Sequence, residues 1–117
     1  MLNWNGLAMT EACVQSLLAQ TTAARAIVVV DNGSANGEAA ALRHRFGAAI
    51  EVLALPANLG FAGGCNAAFD ALLARPECEF IALLNNDTAP HVDWLREMIA
   101  CAEAHPRAGL ELGSRGL

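Results

Sequence analysis

The chain has 117 residues, 55% of them apolar and 16% charged, and a net charge of −5. That length fits one domain with a core of its own and leaves no room for a second of ordinary size. All seven basic residues are arginines that form no basic stripe, and there is no tyrosine, which argues against the basic, aromatic-interleaved surface that nucleic acid requires.

The purest apolar run, Ile27-Val28-Val29-Val30, is far short of the roughly 20 residues that span a bilayer. No basic start followed by an apolar stretch marks a signal peptide, so cytoplasmic residence is the expectation. Cys13, Cys65, Cys78 and Cys101 are widely spaced, without a Cys-x-x-Cys pair or a histidine at zinc spacing. They read as buried thiols in a reducing compartment.

Taken in chain order, a very short first strand ends at Asn3-Trp4-Asn5-Gly6. Met9, Cys13, Val14, Leu17 and Leu18 then fall on one face of a helix running from about Ala8 to Gln20. Ile27 to Val30 reads as a strand buried on both faces, stopping at Asp31. Ser34 or Asn36 is placed to cap a second helix over Glu38 to Phe46. Ile50 to Leu55 predicts another strand, ended by Pro56. A glycine-rich loop, Asn58 to Gly64, leads to a third helix with Cys65, Phe69, Leu72 and Leu73 on its inner face. Phe80 to Leu84 predicts a further buried strand, stopping at Asn85-Asn86-Asp87. Pro90 and Asp93 open a last helix with Val92, Leu95, Ile99 and Ala102 inward. Strands alternating with helices of about ten residues predict βαβ units and an α/β fold on a mostly parallel sheet.

In such a sheet the ligand crevice lies beyond the carboxyl ends of the strands. Four polar or glycine-rich turns fall there: Asn3 to Gly6, Asp31 to Ser34, Asn58 to Gly64, and Asn85 to Asp87. That is more than the connections need. Asp31 suits a hydrogen bond from a nucleobase imide or a ribose hydroxyl, the alternative being a turn or capping aspartate. Gly60, Gly63 and Gly64 lack β-carbons, so backbone can approach a ligand closely, and the following helix offers N–H groups to phosphate. The order Gly-x-x-Gly-Gly is not the dinucleotide fingerprint. Asp87 is the candidate metal ligand, because Mg²⁺ or Mn²⁺ is held by one or two carboxylates with diphosphate and water completing the shell. A turn or an N-cap is the competing reading. His44, His91 and His105 read as surface or capping residues. Trp4 suits stacking on a base or packing on a helix, and Trp94 reads as a partly buried helical tryptophan.

These turns, in this order, resemble family 2 glycosyltransferases, and within them the bacterial rhamnosyltransferase and galactofuranosyltransferase-like branch. The residues carrying the resemblance are Asn3-Trp4-Asn5-Gly6, Val29 to Ser34, Asn58 to Asn66, Leu83 to Thr88, and the helix end Ser16 to Thr21. The resemblance spans residues 2 to 107. It implies a GT-A fold whose Rossmann-like, nucleotide-binding half is a mostly parallel sheet flanked by helices. It also implies a UDP- or dTDP-sugar donor and a divalent metal, Mg²⁺ or Mn²⁺. The sugar would pass with inversion to a glycan or lipid-linked acceptor in bacterial polysaccharide or envelope glycan synthesis, in the cytoplasm or peripherally at the inner membrane face.

By position, Asn3 and Asn5 would lie near the base, and Asp31 and Asn32 on base or ribose. Gly63, Gly64 and Asn66 would lie beside the nucleotide. Asn85-Asn86-Asp87 stands where the family has Asp-x-Asp, with Asn86 near the nucleotide-sugar and Asp87 as the one carboxylate left for metal.

Two departures from the family pattern set further expectations. Only Met1 and Leu2 precede the first turn, and 108–117 does not continue as the family does. The expected organisation is therefore a donor-binding part over 1–107 and a divergent tail over 108–117. The acceptor half and the catalytic base would be absent, making the chain by itself inactive and prone to self-association. The competing classes are a non-catalytic nucleotide-binding module and an interaction domain.

Overall fold

The computed structural model describes residues 1–109. The expected tail over 108–117 therefore lies, from residue 110 on, outside the described residues. Among those described, three parallel strands form one sheet in the order β1-β2-β3: β1 (Leu2–Asn3), β2 (Val28–Asp31) and β3 (Glu51–Ala54). The helices are α1 (Leu7–Leu18), α2 (Glu38–Phe46), α3 (Gly60–Leu73) and α4 (Trp94–Ala104), with a short 3-10 turn at Gly47–Ala49. This is a Rossmann-like α/β arrangement, as a GT-A nucleotide-binding half requires.

The core follows from the period of two in the central strand. Val29 points to one face of the sheet and packs with Val14 of α1, Leu42 of α2 and Ile50. Val28 and Val30 point to the other and pack with Ala68 of α3. All four residues of β2 are buried, as a strand covered on both faces requires. In register, Leu2 lies opposite Val30, and Asn3 opposite Asp31, which in turn faces Ala54. The parallel register thus brings the carboxyl ends of the strands together at one end of the sheet.

Several expectations are corrected. Phe80 to Leu84 is not a strand, and Phe80 and Leu83 are exposed. Of the two edge strands, β1 and β3, the one beside this segment is β1, since Met1 packs against the Leu84 cluster; it is two residues long and offers a neighbour almost no ladder. Leu84 instead packs with Cys13 and Trp94 in a satellite cluster between α1 and α4. The glycine-rich segment is helical from Gly60 onward, so Gly60 to Gly64 forms the first turns of α3 rather than a loop.

Neither Ser34 nor Asn36 caps α2; Gly37 holds the N-cap position in a left-handed conformation, without a side-chain cap. Met9, Leu18, Leu73 and Val92, expected inward, are about half exposed or more, because each helix is covered along only a narrow stripe. Trp94, expected to be partly buried, is 5% exposed and packs with Cys13 and Leu84. Cys13 and Cys65 are buried, whereas Cys78 is half-buried and Cys101 exposed.

Candidate functional site

The turn after β1 is anchored by Asn3, which has no solvent exposure. Its Nδ2 donates to Asp31 Oδ1 (3.0 Å), Glu38 Oε1 (3.0 Å) and Ser34 Oγ (3.2 Å). Its Oδ1 accepts from the Thr10 hydroxyl at 2.6 Å. The two carboxylates therefore share one amide, whose partial positive charge offsets their mutual repulsion, and every buried member is satisfied. Ser34 Oγ also accepts from the Asn5 backbone N–H (2.9 Å), and Asn5 Oδ1 accepts from the Ala35 N–H (2.9 Å). The turns after β1 and β2 are thus stitched together.

Asn32 ties in the third turn. Its Nδ2 donates to Asn58 Oδ1 (3.2 Å) and to the Gly60 carbonyl (3.1 Å), while its Oδ1 accepts from the Leu59 N–H (2.9 Å). Asn58 Oδ1 also accepts from the Gly60 N–H at 2.8 Å. Two N–H groups at the start of α3, expected to be open to phosphate, are therefore already engaged by side-chain amides. Gly64 lies where α3 meets the sheet: a Cβ there would fall 2.9 Å from Leu2 Cδ2 and 3.2 Å from Asn32 Nδ2. Its missing side chain serves helix–sheet packing.

The fourth turn approaches from the far side of α1. Asn86 Nδ2 donates to Thr10 Oγ1 (3.0 Å), and Thr88 Oγ1 donates to the Asn85 carbonyl (2.6 Å). Cys13 Sγ lies 3.7 Å from that carbonyl. Burial pushes the Cys13 thiol up, the Thr88 hydroxyl partly offsets this, and the Asp87 charge adds to the rise.

Between these turns opens a cleft of about 440 Å³, within the size range of small-ligand sites. Asn32, Asn58, Gly60 and Phe61 line one side, and Leu83 to Asp87 the other, with Leu2, Trp4 and Met9 between them. Trp4 and Phe61 are more than half exposed, so both aromatic faces are open to a planar ligand.

Of the residues singled out from sequence, Asn32, Asn86 and Asp87 line the cleft. Asn3, Asp31 and Gly64 are buried, with Asn3 and Asp31 in the shared hydrogen-bond cluster. Asn5, Gly63 and Asn66 are not among the lining residues. His44, His91 and His105 are exposed. Sequence reasoning missed Thr10 and Glu38, and named Asn58 and Phe61 only as members of the third turn, with no role of their own. Thr10 had a signal, being a polar residue beside the inward stripe of an apolar helix. Glu38 had one too, as the acidic residue in the first turn of α2.

The model of the glycosyl transferase family 2 matches residues 1–113. The chain belongs to glycosyltransferase family 2. No curated protein matches it. For a family 2 glycosyltransferase the cleft lies where nucleotide ligands sit on open parallel sheets, beyond the carboxyl ends of the strands. Family 2 enzymes commonly use divalent metals. Among the described residues no three His, Cys, Asp or Glu side chains gather as a metal cage. The donor set of the cleft is one carboxylate, Asp87, with amide groups beside it. That suits a magnesium-like ion whose remaining ligands come from diphosphate and water. Among the described residues no helix is long and apolar enough to cross a membrane.

Proposed function

We propose that residues 1–107 form the donor-binding part of a glycosyltransferase that takes a UDP- or dTDP-sugar together with Mg²⁺ or Mn²⁺. The observation that carries this reading is the cleft into which three of the four polar turns send lining side chains, Asn32, Asn58, Asn86 and Asp87 among them, with the fourth contributing Trp4. In this reading Trp4 or Phe61 stacks on the base, and the Asp31–Asn3 cluster with Asn5 and Asn32 sets the nucleoside side. Gly63, Gly64 and Asn66 shape the start of α3 beside the nucleotide, while Asn86 and Asp87 take the diphosphate side.

Asp87 would hold the metal, which when bound neutralises charge on the departing diphosphate. The finer assignment follows the resemblance: the rhamnosyltransferase and galactofuranosyltransferase-like branch. It includes transfer with inversion to a glycan or lipid-linked acceptor of the bacterial envelope, from the cytoplasmic side of the membrane. The chain alone is expected not to turn over donor.

Calorimetric titration of UDP and dTDP tests the donor site. Metal-dependent binding that Asp87→Ala weakens at least about tenfold supports it. No binding of either nucleotide with either metal sinks it. A donor-consumption assay with a panel of acceptors tests the second part, and steady turnover by this chain would overturn the expected inactivity.

A further inference from the structure

A line of hydrogen bonds runs beneath the cleft, joining the turn at Asn86 to the cluster at Asp31. Asn86 Nδ2 donates to Thr10 Oγ1 (3.0 Å), Thr10 Oγ1 donates to Asn3 Oδ1 (2.6 Å), and Asn3 Nδ2 donates to Asp31 and Glu38 (3.0 Å each). Each donor faces the same way, toward the carboxylates, so the bonds polarise one another. Thr10 and Asn3 are wholly buried, so no bulk water replaces a lost member.

The two ends differ in what else holds them. Asn3 is fixed through Nδ2 by three acceptors, Asp31, Glu38 and Ser34, whatever happens at Thr10. Asn86 has a single side-chain hydrogen bond among the described residues, and its acceptor is Thr10. Removing the Thr10 hydroxyl therefore leaves Asn3 held through Nδ2, though with its Oδ1 unpaired, but releases Asn86 into the cleft it lines.

We propose that Thr10 is a positioning residue for the diphosphate side of the donor site, acting by holding the Asn86 amide. This rests on the donor-site reading above. Thr10 does not line the cleft, so its effect on a ligand passes through Asn86. The β-branched shape of threonine matters little to this role and the hydroxyl is everything, which separates Thr10→Val from Thr10→Ser.

The test is titration of the whole chain with UDP and, separately, uridine, both with Mg²⁺. In Thr10→Val the UDP affinity should fall about tenfold, the worth of roughly one hydrogen bond, while uridine binding changes less than about twofold. Thr10→Ser should stay within about twofold of the unmodified chain on both ligands. Equal weakening of UDP and uridine in Thr10→Val, or no weakening of either, overturns the proposal, as does a Thr10→Ser chain that behaves like Thr10→Val.

Should Thr10→Val not fold, the Asn86 side-chain amide signals of the unmodified chain decide. A shift with UDP but not with uridine supports the role, and equal shifts with both overturn it. Failure of the unmodified chain to bind UDP removes the donor-site reading, and this inference with it. Normal UDP binding that Thr10→Val leaves intact removes the inference alone.

Discussion

At Gly33 the backbone takes a φ of +78°, and a Cβ there would lie 2.5 Å from the Ala57 carbonyl carbon and 2.6 Å from the Asn58 nitrogen. Both neighbours are main chain, so neither yields by a rotamer change. This close approach lets Asn32 reach Asn58, Leu59 and Gly60, and so sets one wall of the cleft. Gly33→Ala should cost at least about 2 kcal/mol, combining left-handed strain with the clash. Urea unfolding with an unchanged midpoint would contradict this. In the sequence, Asp31-Asn32-Gly33-Ser34 reads as a turn, and its glycine as a turn glycine. That this turn must also touch the one after β3 is a contact between residues 24 apart, which no local pattern encodes.

At the scale of elements, α4 is tied to α1 through Gln20. Its Nε2 donates to the His91 carbonyl (2.8 Å) and its Oε1 accepts from the Leu95 N–H (3.0 Å), so it satisfies groups at the start of α4 that the helix leaves open. Asp93 stands at the N-cap but makes no capping bond; its carboxylate accepts from Thr21 Oγ1 at 2.8 Å. Gln20→Ala should therefore destabilise the chain by about 0.5–1.5 kcal/mol, because it leaves the part-buried Leu95 N–H without its acceptor while the His91 carbonyl keeps the Trp94 N–H. A thermal melt unchanged from the parent would refute that.

The segment Phe80–Leu84 offers the complementary case. Its apolar run satisfies a strand pattern, yet a strand needs a partner, and the two-residue β1 supplies almost none. Hydrogen exchange over Phe80–Leu84 should be far faster than over Val29–Asp31. Equal protection in the two segments would show a sheet pairing that this structure lacks.

For the molecule as a whole, two buried titrating groups give stability a pH optimum. The Met1 ammonium donates to the Val28 carbonyl at 2.9 Å, and burial holds it below its ordinary value. Between that lowered value and about 8 the unfolded chain binds more protons than the folded one, so stability rises with pH. Burial raises the Cys13 thiol, so above about 8.5 the unfolded chain loses a proton that the folded chain keeps, and stability falls. Urea midpoints should thus peak at about pH 8, and a monotonic profile from about pH 6 to about pH 10 would contradict this. Of the nine large apolar side chains exposed among the described residues, four, Trp4, Met9, Phe61 and Leu83, line the cleft and form one patch there. That patch favours association, and light scattering at high concentration should detect species larger than a monomer.

Features that depend on neighbours along the chain were legible from the residues alone. The β-branched run became the central strand β2, Glu38–Phe46 became α2, and four polar turns were legible as a group, three of them following strands. The family match over residues 1–113 spans all of those turns. Features that depend on distant pairing came from the packed fold. It denied Phe80–Leu84 a place in the sheet, made the glycine-rich segment the start of a helix, and brought Thr10 and Glu38 onto one amide beneath the cleft. A period of two or 3.6 can be read from adjacent residues, whereas a hydrogen bond between Asn3 and Glu38 spans 35 positions and exists only once the sheet and helices have packed.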